Sequence, residues 1–181
     1  ADVTHKAALA RNVFNVNGSG VKIGVISDSY NAKALAASDV TAGELPGVGN
    51  PNGFTTPVTV LSEYATGTDE GRAMMQLIHD IAPCAQLYFA TAYSSQADFA
   101  QAILNLRAAG CDIIVDDVKY FAEAVFQDDN IAQAVNSVTA SGALYFSSAG
   151  NSGNKNDNTA GVWEGDFVDG GTNALIVEGG S

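Results

Sequence analysis

Basic residues are scarce in this chain: 8 Lys and Arg stand against 20 Asp and Glu, a formal charge of −12. Charged residues together make up only 15%, well under the roughly 25% of an average soluble domain. The chain is acidic because bases are missing, not because acids are abundant. A field of this sign argues against nucleic acid and against an anionic membrane surface as partners. Long apolar runs are missing too. The longest, such as 87–90 and 143–146, fall far short of the ~20 residues a spanning helix needs. The N-terminal ADVT lacks the basic and apolar regions of a signal peptide, and reads as a mature end or an arbitrary boundary. The closing EGGS reads as a cut or a linker. Two cysteines, Cys84 and Cys111, are too few for a disulfide scaffold and have no zinc spacing. Two readings of them stay open: small buried thiols, or a bridge between positions just ahead of two strands. With one strand between them the separation would be ~9–10 Å, long for a bridge.

What is present is apolar residue in quantity, 46% of 181 residues. That excludes a disordered chain and supports one domain with a core. Its pattern alternates strand and helix. The run VKIGVIS (21–27) reads as a buried parallel strand, and 58–61 as a shorter one after a Gly/Pro-rich loop at 43–57. Residues 68–81 have helical spacing, with Thr68 as the expected N-cap and Pro83 just beyond the end. Strands follow at 86–91, 112–115 and 143–147, with helices at 97–109 and 130–140 between them. A last apolar stretch at 174–177 closes the chain, and the first 17 residues read as an N-terminal helix or arm. The expectation is an α/β fold, a mostly parallel sheet with helices on both faces.

In such sheets the chemistry lies outside the carboxyl ends of the strands. Three strand ends carry polar residues: Ser27-Asp28-Ser29, Asp116-Asp117 and 147–151. Glu70 opens the helix that follows the first strand. Asp28 alone reads as a turn or cap residue, and Glu70 alone as an acid favoured by a helix N-terminus. Asp116-Asp117 is harder to dismiss, because alternation turns one of the pair inward and a buried carboxylate needs partners. Asn151, in the loop SSAGNSG, could project an amide donor of the kind an oxyanion site uses. The glycines of GSGVKIG precede a strand instead of following one, so they are no dinucleotide fingerprint.

Together these residues resemble the subtilisin-like and sedolisin-like serine peptidases. GVISDS, then a helix opening with X-Gly, then the APCA run, DIIVDDV and SSAGN keep the family's order across residues 18–153. The resemblance implies a three-layer subtilisin-like fold, incomplete on its C-terminal side, of which this chain is the N-terminal two-thirds, with 154–181 an irregular segment and last strand. It implies Asp28 as the catalytic Asp and Asn151 as the oxyanion donor. Glu70 stands where subtilisins have His and sedolisins Glu, and Met74 where sedolisins have a second acid. Asp117 and Val118 fall at the substrate-binding strand end. The expected mechanism is peptide-bond hydrolysis by a Ser/Glu/Asp-type site whose Ser lies outside these residues. Gly171-Thr172-Asn173 has Asn in the nucleophile's place and comes too soon after Asn151, so no serine here is a nucleophile and the chain alone should be inactive. The partners implied are a peptide or protein substrate and the rest of the domain, or another partner, covering the sheet edge. Export to the cell envelope or exterior goes with the family.

No cofactor is expected. Structural calcium is conceivable at 154–158 or 128–130, although neither has a calcium-loop spacing, and solvated loops are the plainer reading. His79 lies some nine residues beyond Glu70 and reads as structural. Asp28, Glu70 and Asp117 would crowd at adjoining strand ends, so at least one should share a proton, tuning the site to acid. Two other readings stand beside the peptidase: a non-catalytic relative that keeps the fold as an interaction module, and an unrelated α/β ligand-binding domain, against which SSAGN counts.

Overall fold

The computed structural model describes residues 2–124 and 126–151, with Gly153 and Asn156. The chain divides into two compact units, Ala1–Gly150 and Asn151–Ser181; the elements below belong to the first. The boundary falls where the sequence turns polar and Gly/Asn-rich. The strand expected at 174–177 lies outside the described residues.

Five parallel strands form one sheet in the order β2-β3-β1-β4-β5. They are β1 (Lys22–Ser27), β2 (Thr59–Val60), β3 (Gln86–Thr91), β4 (Ile113–Asp116) and β5 (Leu144–Ser147). The helices are α1 (Ala7–Phe14), α2 (Ala36–Ala42), α3 (Glu70–Ile81), α4 (Gln96–Ala108) and α5 (Asn130–Ala140). The expected α/β architecture is therefore present, with α2 the helix that periodicity missed. At seven residues, AASDVTA is too short for a 3.6-residue period to show.

Two apolar layers sandwich the sheet. On one face Phe99, Ala102, Ile103 and Leu106 of α4, and Ile131, Ala134 and Val138 of α5, pack on Ile26 and Ile114. On the other, Met75 of α3 and Ala36 of α2 pack with Val25, Leu87 and Phe89. Central β1 is covered on both sides, which is why its sequence is apolar throughout instead of alternating. Edge strand β5 is covered on one side only, so Leu144 and Phe146 remain more than half exposed among the described residues. Arg11 of α1 pairs with Asp2 at 2.8 Å and donates to the carbonyls of Asp80 and Ile81, tying α1 to the last turn of α3. No helix of the described residues is long and apolar enough to cross a membrane.

The topology selects one place on this sheet. The chain leaves β1 toward the α2/α3 face, whereas it leaves β3 and β4 toward the α4/α5 face. Diverging exits make the carboxyl end of β1 the switch point, the place at which open α/β sheets bind ligands.

Candidate functional site

Asp28 and Glu70 meet at that strand end, and the helix that Glu70 opens is capped in an unexpected way. Thr68 is not its N-cap. Helix α3 starts at Glu70, and Asp69 occupies the cap position with a left-handed φ of 68° and no cap bond of its own. The cap comes instead from Asp28, 40 residues earlier. Its carboxylate accepts the Glu70 N–H at 3.1 Å, the Thr68 N–H in a very short contact, and the Thr68 hydroxyl at 2.6 Å. Ser29 adds its N–H at 2.5 Å. Burial by itself raises an acid, but the donors from Thr68, Ser29 and Glu70 outweigh it, and Asp28 is held below the usual carboxylate range. Of the three acids expected to crowd here, Asp28 is thus the one whose donors favour the ionised form.

Glu70 projects from the first turn of α3, solvent-exposed. Its carboxylate accepts the Ser27 hydroxyl at 2.9 Å, which fixes it over the last residue of β1. The approach is close because Gly71 follows it. A Cβ there would stand 2.3 Å from Phe89 Cε2 and 2.8 Å from the Ser29 carbonyl. Gly67 serves the same end on the loop, where a Cβ would lie 2.2 Å from Ser29 Oγ.

Asp69 is the acid that sequence reasoning passed over. It is buried, and its carboxylate accepts Ser29 Oγ at 3.0 Å, Ala32 N–H at 2.7 Å and Lys33 N–H at 3.0 Å, and pairs with Arg72 at 3.1 Å. Arg72 also pairs with Asp39 of α2 at 3.1 Å. Nearby, Glu63 accepts the N–H groups of Tyr30 and Asn31. The only signal for this network was three successive polar residues, Thr68-Asp69-Glu70, before a helix. It clamps the 29–33 loop and leaves Glu70 as the acid at this corner with side-chain capacity to spare.

At the end of β4 the inward member of the acid pair is Asp116, not Asp117. Asp116 is 2% exposed and accepts Tyr145 OH at 2.6 Å and Ser147 Oγ at 2.9 Å. Burial pushes its carboxyl up, against the pull of these two donors. Asp117 is half-buried, and its N–H donates to the Ile26 carbonyl at 3.1 Å; alternation assigns it to the α3 face. Val118 packs against the α4/α5 layer. Replacing Tyr145 by Phe removes a hydrogen bond to a buried carboxyl, and should cost about 1.5–3 kcal/mol while moving the Asp116 titration still higher. Urea unfolding and carboxyl-carbon NMR read the two effects separately.

The remaining candidates are quickly placed. Asn151 opens the second unit, exposed, its carbonyl accepting the Gly153 N–H at 3.0 Å. Met74 packs partly buried in the α3 layer. His79 is a core residue, edge-on to Phe54 at 5.1 Å, and burial lowers its pKa. Both cysteines are free thiols, Cys84 exposed and Cys111 buried, with β1 between their strands. Burial pushes Cys111 up to about 12, so it is inert as a nucleophile. Asp129 caps α5 through the Asn130 N–H, and Asp128 accepts Asn136 Nδ2 at 2.7 Å. Among the described residues no group of three or more His, Cys, Asp or Glu is placed to hold a metal ion. Most of the 154–158 stretch, with Gly171 to Asn173 and Ser181, lies outside the described residues. No family model matches the chain, and no curated protein matches it.

Proposed function

We propose that this chain is the larger part of a serine-peptidase domain of the subtilisin and sedolisin type. The observation that carries the reading is Glu70, a carboxylate held by Ser27 at the carboxyl end of the central strand, at the switch point. A general base needs a proton acceptor at a fixed place with a free lone pair, and Glu70 has both. It would take the proton of a Ser hydroxyl as that oxygen attacks the peptide carbonyl, then return it to the departing amine. Asp28 would act one step removed, by fixing the backbone turn that carries Glu70. By the sequence resemblance alone, Asn151 would be the donor to the carbonyl oxygen as it gains charge; Asp117 and Val118 would border the substrate strand. The Ser would come from outside these residues, and the reading brings with it an exported protein.

One observation favours the second reading, an inactive interaction module: the Asp28 carboxylate is already occupied by four donors, none of them a group that carries protons to Glu70. The test is a fluorophosphonate label together with peptide turnover. The 181-residue chain should neither label nor hydrolyse. A longer form that includes a downstream Gly-Thr-Ser segment should do both, and Glu70→Gln in it should lower kcat by about 10²–10⁴ with KM little changed. Full activity in that variant, or no labelling of the longer form, sinks the peptidase reading in favour of the module.

A further inference from the structure

A second cavity lies on the opposite face of the sheet from Glu70, where β4 and β5 end against α4 and α5. Its volume is about 290 Å³, room for about ten waters. Its walls are apolar, from Phe99, Val118, Ile131 and Val135, and two carboxyls face into it, Asp116 and Glu123. Among the described residues, no Lys, Arg or His lines it. We propose that this cavity binds an organic cation, an ammonium or guanidinium group on a short apolar stem.

The two acids are arranged for a ligand of that kind. Tyr145 OH and Ser147 Oγ each donate to a different oxygen of Asp116, leaving each oxygen a lone pair. Glu123, partly buried, lies near the Ala132 N–H in the first turn of α5. Both carboxyls are pushed up by burial, and both feel further anions: Asp117 beside Asp116, and Asp129 and Asp116 around Glu123. Asp128, at the start of α5, is tied to Asn136. Among the described residues no cation of the lining answers this negative charge, so a bound one relieves both desolvation and repulsion. A bare metal ion would leave the apolar walls unused, and an anion would add to the repulsion. A stem of a few methylenes with a cationic tip uses both parts of the lining. The site does not rest on the peptidase reading, since Glu70 and the α3 face take no part in it.

The test is an amide NMR titration of the ¹⁵N-labelled 181-residue chain. Two cationic probes separate the sources of such a group: n-butylammonium for a free amine, and N-acetyl-lysine N-methylamide for a basic side chain of a peptide. Saturable shifts confined to the cavity residues, with either probe or both, are the expected result, and which probe binds names the source. n-Butanol and butyrate should give no such shifts. Glu123→Gln should weaken binding roughly tenfold with the fold unchanged, so the outcome does not depend on Asp116→Asn folding. Binding should also weaken as the pH falls and the two carboxyls, both raised by burial, take up protons. Equal shifts with n-butanol, shifts scattered over the acidic surface, or full affinity in Glu123→Gln would each overturn the proposal.

Discussion

Asp28→Ala should lower the unfolding free energy by about 3–5 kcal/mol, a large share of the roughly 5–15 kcal/mol that holds a domain folded. The deletion leaves the Thr68 and Glu70 N–H groups without their acceptor, and with them the start of α3. It also frees the Ser29 N–H and the Thr68 hydroxyl. Urea unfolding at pH 7 measures the loss. The pH dependence gives a second, independent reading. Asp28 is depressed in the fold, so its contribution is complete above its unfolded pKa of about 3.9 and is lost as the pH falls through its folded value. The Ala variant should therefore show a shallower loss of stability in acid than the parent. Equal slopes below pH 4 would mean that the carboxylate is not the acid-sensitive element. Asp28→Asn should fall between the two, because its amide oxygen still accepts but the charge is gone and its nitrogen faces donors.

Gly71→Ala is the second large effect, and its sign is the informative part. At an exposed helical position this change stabilises by up to about 1 kcal/mol, since Gly is the costlier helix former. Here the added Cβ meets Phe89 Cε2 at 2.3 Å and the Ser29 carbonyl at 2.8 Å, and the second of these is backbone that cannot turn away. The net cost should be about 2–3 kcal/mol, with α3 pushed off the end of β1. Thermal unfolding measures it. Phe89→Leu in the same chain removes the ring but not the carbonyl, so the double variant should recover part of the loss, not all of it. A stabilised Gly71→Ala would show that α3 lies farther from the sheet than the contacts imply.

The proposed peptidase chemistry and the organic-cation site use opposite faces of one sheet end. Separate variants address them: Glu70→Gln should leave n-butylammonium binding intact, and Glu123→Gln should leave fluorophosphonate labelling of the longer form intact. The two proposals thus stand or fall apart.

Much of this molecule could be read from its residues. Continuous apolar strands separated by amphipathic helices define a parallel sheet covered on both faces, because a strand buried on two sides has no polar alternation to show. The strands at 86–91 and the helix at 130–140 have the same limits in sequence and structure. The location of Asp28 and Glu70 at strand and helix ends was legible for the same reason: punctuation residues mark where elements stop. Their roles were not. Thr68 has the composition of an N-cap, yet the cap is Asp28, because the end of β1 comes to lie against the N-terminus of α3 and a charged acceptor there outcompetes a hydroxyl. Crowded acids suggested a shared proton, yet besides its neighbour Ser29 the donors that reach Asp28 come from Thr68 and Glu70, 40 and 42 residues on, and pattern carries no information on them. Which of Asp116 and Asp117 turns inward depended on the register of β4 against β1, with Ile26 opposite Asp116, and not on the identity of either residue. Local sequence determined the elements and their order, since backbone propensity and burial period act within a few residues. Tertiary structure alone decided the opposite pKa directions of Asp28 and Asp116 and the cavity that Asp116 and Glu123 line, because electrostatics and hydrogen bonding depend on what distant segments bring within about 3 Å.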